Sequence, residues 1–177
     1  TQTSQSTLQK IINSKEMKVG YLEYRPAVVK SSKGDELSGV MIKAIEEIAD
    51  ELDVSVTYSE ANWDTFIAGL QSGRYDIFVT PVFATPSRAG SVSFTDPWFY
   101  LGMGIIVPKD DAKIQTIEDI NQEGVTVAVN QGGANAKFAK RRFPKANINS
   151  LSGVSISEVL TQVSSGRADA AVANSWS

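Results

Sequence analysis

Apolar positions change period along the chain, and each change marks an element. From Val40 to Leu52, Met41, Ile42, Ala44, Ile45, Ile48, Ala49 and Leu52 recur at helical spacing and predict one broad amphipathic helix. "VSVTYSE" at 54–60 then alternates, as a half-buried strand does. In "NWDTFIAGLQ", Phe66, Ile67 and Leu70 form a second helical stripe. Gly73 fits the left-handed position that ends a helix, and "DIFVT" at 76–80 is a short apolar run suited to a buried parallel strand. Ahead of these, "LQKIINSKEM" predicts a short helix, "KVGYLEY" a first strand and "KSSKGDEL" a polar turn. The first half thus reads β-α-β-α-β, which favours a parallel sheet with right-handed crossovers.

The second half repeats one piece of this pattern. "SGRYDIFVT" begins at Ser72 and "SGRADAAVA" at Ser165. Before the second copy, Ser155 and Glu158 form a capping-box signature, Ile156, Val159, Leu160 and Val163 supply a stripe, and Gly166 stands where Gly73 stood. Both copies read as helix–glycine–strand joints, one in each of two α/β lobes. Between them, "GMGIIVPK" and "VTVAVN" predict strands, "TIEDI" a capped helical turn, "QGGANAKFAKRRF" a loop running into a helix, and "INSLS" a further strand.

Composition narrows the chemistry. The 177 residues include no Cys and no His, which removes thiolate and imidazole metal sites, cysteine nucleophiles and any Ser–His–Asp triad. No cofactor is expected. The net charge of −3 and the lack of a basic stripe argue against nucleic acid as a partner; "KRR" at 140–142 fits the solvated end of a helix. No apolar run reaches the roughly 18 residues of a membrane helix. "TQTSQST" is polar and patternless and reads as a disordered leader, the way a processed, exported chain begins.

Three places carry candidate chemistry. In "NQGGANAKFAK" a strand ends at Asn130 and a helix starts after Gly132 and Gly133, so free N–H groups and the helix dipole favour an anion there; the glycines serve a tight turn equally well. In "ATPSRAG", Thr85 and Pro86 signal a helix start, and Arg88 one turn on either presents a fork to a carboxylate or makes a surface salt bridge. Trp63 lies at a strand-to-helix loop, where it is either core or a flat wall for a ligand.

The stretch "NWDTFIAGLQSGRYDIFVTPVFATPSRAGSVSFTDPWFY" resembles the bacterial extracellular solute-binding proteins that serve amino-acid ABC transporters. The family's "WD", "L.SG.YD", "TP.RA" and "F(S/T)DP(Y/W)" occur in order and at the expected spacing. "GVTVAVNQGGANAKFAKRRFP" and "SSGRADAAVAN" match its second half. The likeness covers about residues 15–177. It implies a two-lobed α/β fold of the periplasmic-binding-protein-like II (Venus-flytrap) kind, with ligand held in a cleft. The expected division is residues 1–15 as leader and start of the first helix, 16–101 as lobe 1 and 102–177 as lobe 2. Carried over residue by residue, the likeness makes Arg88 the clamp for a ligand carboxylate. N–H groups near Phe83 and at Gly133 and Ala134 complete that anion site. Trp63 walls the ligand, Thr80 and Pro81 offer oxygens to an ammonium, and Tyr24, Arg25, Asn130 and Asn174 are further contacts.

Departures from the family pattern fall at Asn174, where Asp is usual, at Phe83, where Ser is common, and at Gly133 and Ala134, where Thr is common. The family's chains run several tens of residues further, so the second lobe is expected to lack its return segment. The function implied is capture of an amino acid or related small carboxylate for a membrane ABC permease, outside the cytoplasm, without catalysis. Two alternatives use the same module: the input domain of a membrane receptor, and a cyclohexadienyl-dehydratase-like enzyme. For the enzyme, Glu23 is the acid expected nearest the site.

Overall fold

The computed structural model describes residues 5–32, 34 and 36–174, which fall into two compact units divided between Phe94 and Thr95. The sequence placed that division between 101 and 102. The first unit opens with α1 (Thr7–Ser14), whose Ser6 side chain accepts from the Gln9 N–H. Ser6 and Thr7 therefore belong to a capped helix and not to a patternless leader; residues 1–4 of that leader lie outside the described residues. Lys15, at φ 58°, ends the helix. The chain then enters β1 (Glu16–Tyr21) two positions ahead of the predicted strand, with Glu16 and Met17 moving from helix to sheet.

The polar turn that follows is flanked by β2 (Val29–Lys30) and β3 (Leu37–Ser38), an antiparallel pair too short to leave a period in the sequence. Lys33 and Asp35 of that turn lie outside the described residues. Then come α2 (Val40–Glu51), β4 (Ser55–Glu60), α3 (Phe66–Gln71), β5 (Ile77–Val79) and α4 (Pro86–Ala89). α2 buries Met41, Ile42, Ile45 and Ala49 of its stripe and leaves Ile48 exposed. The sheet order is β4-β1-β5, all parallel, with Val19 opposite Tyr58 on one side and Ile77 on the other.

The second unit contains β6 (Met103–Ile106), a 3-10 turn at Glu118–Ile120, β7 (Thr126–Asn130), α5 (Ala134–Arg142), β8 (Asn147–Leu151), α6 (Ile156–Ser164) and β9 (Ala170–Asn174). Its order is β6-β9-β7-β8; β7 runs parallel to both neighbours and β6 antiparallel to β9. Alternation sorts the side chains between two faces. Val127, Val129, Ala170 and Val172 pack with Ala136, Ala139 and Phe143 of the α5 side. Ala128 and Ala171 pack with Val159 and Val163 of α6. Helices thus cover both faces, which accounts for the nearly continuous apolar runs in β7 and β9.

Candidate ligand-binding site

In the first unit the site grows from the carboxyl end of the sheet, where open parallel sheets hold ligands. Thr80 follows β5 directly and is 3% exposed. Its hydroxyl has no hydrogen-bond partner among the described residues. Pro81 beside it is buried. The chain then loops to α4, where Pro86 occupies the first turn and supplies a fixed φ without a missed N–H. Thr85 stands at the cap position with extended backbone, yet its hydroxyl makes no cap bond. That corrects the sequence reading: Thr85 marks the helix start by position only. Its Oγ1 is a second buried oxygen without a partner among the described residues.

Arg88 is 5% exposed. Nη1 donates to the Phe83 carbonyl at 3.2 Å. The guanidinium carbon lies 5.4 Å from the Trp63 ring centroid and 5.2 Å from that of Phe66. Burial pushes the Arg88 pKa down, but a guanidinium stays protonated in a protein. The surface-salt-bridge reading of Arg88 therefore does not hold, because this side chain is withdrawn from solvent. At Phe83 it is the carbonyl that meets the arginine; the same oxygen also accepts from the Thr85 N–H at 2.9 Å.

Trp63 is half-buried on the loop after β4. Asn62 shapes that loop: its Oδ1 accepts from the N–H groups of Asp64 and Thr65 and from the Thr65 hydroxyl, all near 3 Å. On the first strand's side, Tyr24 is buried and exchanges backbone hydrogen bonds with Val28 at 2.8 and 2.9 Å. Arg25 is different in kind. Its side chain is 65% exposed and pairs with Glu23 at 3.1 Å. It is a solvated ion pair rather than a second withdrawn cation.

The second unit places its candidates at the carboxyl ends of β7 and β9. Asn130 ends β7 and donates from Nδ2 to the Val154 carbonyl at 2.7 Å, which braces the turn before α6. Gly132 adopts φ 71°. Gly133 is the buried N-cap of α5, without a side-chain cap, and a Cβ there would come within 3.3 Å of the Asn130 oxygen. Ala134 begins the helix, whose last turn carries Lys140, Arg141 and Arg142, charges that suit a helix C-terminus. Asn174 ends β9, buried and opposite Met103. Within the two units the structure brings together Trp63, Phe83 and Arg88 in one, and Asn130 and Gly133 in the other.

Three features escaped the sequence. Phe66 was read as core stripe, yet its ring lies under Arg88. The Thr85 hydroxyl is buried without a cap to serve. At the end of β4, Glu60 takes a 2.7 Å contact from Lys30 and a 3.5 Å hydrogen bond from the Tyr21 hydroxyl, so Glu23 is not alone among acids at that end of the sheet. The signal for Phe66 was present: two aromatics three residues apart, where a strand's carboxyl end turns into a helix.

Residues 17–152 match the family described as bacterial extracellular solute-binding proteins, family 3. A "Probable amino-acid ABC transporter-binding protein" of Haemophilus influenzae is 30% identical over 141 residues, 79% of this chain and 52% of its own. The cyclohexadienyl dehydratase of Pseudomonas aeruginosa is 28% identical over 149 residues, 83% of this chain and 55% of its own. The chain thus spans about half the length of these curated relatives. The crystal structure of an ancestral amino-acid-binding protein, a precursor of cyclohexadienyl dehydratase, superposes with a TM-score of 0.88 at 37% identity, over 96% of this chain and 75% of that one. With these matches and the two α/β units described above, the chain belongs to the bacterial extracellular solute-binding proteins, family 3.

Proposed function

We propose that this chain binds an amino acid or a related small carboxylate as the substrate-capturing part of an ABC importer, outside the cytoplasm, and delivers it to a membrane permease. One observation carries the reading: Arg88 is withdrawn from solvent and keeps its charge, with its guanidinium held by the Phe83 carbonyl and the Trp63 and Phe66 rings, in a unit that also buries the Thr80 and Thr85 hydroxyls. A planar fork of N–H donors held in low dielectric suits a carboxylate. The hydroxyls can accept from, or donate to, the rest of the same ligand. In the second unit, the uncapped first turn of α5 at Gly133 and Ala134 is a further place for negative charge.

Binding is favoured over catalysis by the state of Glu60 and Glu23 at the carboxyl end of the first unit's sheet: Glu60 is paired with Lys30, and Glu23 is occupied as well. It is exposed and spends its carboxylate on Arg25, whereas a general acid or base must reach the proton it moves. Asn174 bears on ligand type: a buried amide accepts a hydrogen bond from an ammonium but brings no charge to it. Ligands whose amine is absent or substituted therefore belong in any screen.

The test is calorimetry on Arg88→Ala after a thermal-shift screen. The screen holds the common amino acids beside their deamino and N-alkyl counterparts; a ligand that binds the folded form raises the midpoint. Losing a buried charge-assisted pair costs about 2–5 kcal/mol, so affinity for the selected ligand should fall at least tenfold with the fold intact. Unchanged affinity overturns the role given to Arg88. If free α-amino acids alone shift the midpoint, Asn174 does not select against the amine.

A further inference from the structure

We infer that Phe66 and Trp63 are positioning residues for Arg88: the two rings hold its guanidinium in place, so that its in-plane donors are presented in one orientation. This rests on the carboxylate reading of Arg88 and adds how the charge is aimed. The guanidinium carbon lies over both rings, at 5.2 Å from Phe66 and 5.4 Å from Trp63. The negative face of an aromatic ring attracts a cation, more strongly once water is excluded. Every donor of a guanidinium lies in its plane. The two rings stand nearly perpendicular to each other, at 89°, and so confine the guanidinium from two sides, while the Phe83 carbonyl fixes rotation through Nη1 at 3.2 Å.

The rings are themselves anchored. Phe66 stacks on Phe78 of β5 with centroids 4.7 Å apart, and Trp63 meets Phe66 edge-on at 6.0 Å. The Tyr75 hydroxyl donates to the Phe66 carbonyl at 3.0 Å. Phe66 is thus fixed to the sheet through its ring and to the helix–strand joint through its backbone. An aliphatic residue would fill the same volume; only an aromatic face adds the attraction for the cation. That separates a positioning role from plain core packing and makes it measurable.

The experiment uses the full chain with labelled arginine side chains, read by NMR, with Arg88 signals identified by their loss in Arg88→Lys. In the native protein these signals are shifted by ring currents and exchange slowly, against the exposed Arg25 as internal reference. Phe66→Leu and Trp63→Leu each move them toward the Arg25 position, while Trp63→Phe, which keeps a ring, restores them. Slow Arg88 exchange retained in both leucine variants overturns the inference, whatever loss of ring-current shift the deletion of a ring brings by itself. The half-buried Trp63 keeps the test open if Phe66→Leu fails to fold. The second readout is affinity for whichever of L-arginine, L-histidine, L-glutamine, L-lysine and L-cystine binds. Loss of a ring weakens it roughly three- to thirtyfold, and Trp63→Phe weakens it less. Arg88→Ala with undiminished affinity sinks the carboxylate reading alone, because the NMR result decides the positioning by itself.

Discussion

The two helix–strand joints, Ser72–Asp76 and Ser165–Asp169, make the same backbone from nearly the same sequence and pack it in opposite ways. In each, a glycine at φ 70° ends the helix. The next residue's N–H returns to the carbonyl five residues back: Arg74 to Gly69 at 3.0 Å, Arg167 to Gln162 at 2.8 Å. Each aspartate then exchanges two hydrogen bonds with the neighbouring strand. Asp76 gives its N–H to the Lys18 carbonyl at 2.7 Å and accepts the Lys18 N–H on its carboxylate at 3.0 Å. Asp169 does the same with Thr126 at 2.9 and 2.8 Å. Between glycine and aspartate the units diverge. Tyr75 is buried against Gly69 and Gly20, whereas Ala168 sits where the equivalent positions are Gln162 and Ala128. Large meets small in one joint, and volume is spread evenly in the other. The repeated letters answer a hydrogen-bonding need; the differing one answers local packing.

The largest effect tests that exchange of volume. Tyr75→Ala empties a fully buried ring site and should cost about 3–5 kcal/mol, by analogy with other buried aromatics. A Cβ on Gly69 would fall on the Tyr75 ring and hydroxyl, and one on Gly20 would come within 2.8 Å of the ring. Gly69→Ala alone should therefore destabilise by about 1–3 kcal/mol. In a Tyr75→Ala background the same change should be neutral or favourable, since alanine suits a helix better than glycine by about 1 kcal/mol. Urea unfolding of the two single variants and the double variant measures the coupling. Additive costs would break the claim that Gly69 is small for the sake of Tyr75.

The aspartate clamps come next. The Thr126–Asp169 pair is partly buried, the Lys18–Asp76 pair exposed. Removing a charged acceptor from a shielded N–H costs about 1.5–3 kcal/mol, while water can replace an exposed one at a cost nearer 1. Asp169→Ala should thus destabilise more than Asp76→Ala in the same unfolding assay, and the reverse order would show that burial does not separate the joints. The glycines, by contrast, should not separate them. A Cβ on Gly73 or on Gly166 meets nothing within 4 Å, and both adopt φ 70°. Alanine at either costs the left-handed strain alone, about 1 kcal/mol. Unequal melting shifts for the two glycine variants would point to hidden packing at one joint.

These joints also show how much a sequence can tell. Their helix ends, glycine conformations and parallel strands were legible because each is dictated by local chemistry: period, capping and φ. Ser155 and Glu158 announced a capping box, and the structure contains it. Phe66 was not legible as a neighbour of Arg88, since a stripe residue looks the same whether its ring faces other apolar groups or a buried cation. Arg88 needed the fold as well: the sequence offered a fork or a surface ion pair, and only its burial in the structure speaks against the second. The two-residue strands β2 and β3 were silent because such short strands leave no alternation to read. Ser6 was passed over among polar neighbours, although its hydroxyl caps α1.

The smallest effect concerns acid, and it applies to one joint only. α6, which feeds the second joint, begins with a closed capping box. The Ser155 hydroxyl receives the Glu158 N–H at 3.3 Å, and the Glu158 carboxylate receives the Ser155 N–H at 2.8 Å and its hydroxyl at 2.9 Å. α3, which feeds the first, has Thr65 at the cap without a side-chain cap bond. The hydrogen bonds from Ser155 hold the Glu158 pKa below the usual glutamate range. A carboxylate whose folded pKa is depressed contributes fully above its unfolded value, and that contribution is lost as pH falls through the folded one. The start of α6 should therefore loosen below about pH 4, near and under the ordinary glutamate value, while α3 keeps its protection until the unit unfolds. Amide exchange at Glu158, followed against pH beside that at Phe66, measures the difference. Ser155→Ala removes the hydroxyl but keeps the backbone N–H, so it should reduce the acid sensitivity of α6, while Glu158→Gln, which has no carboxylate to protonate, should abolish it. If exchange at Glu158 is flat through this range in the native protein, the box does not act as a carboxylate cap and the two helix starts are equivalent.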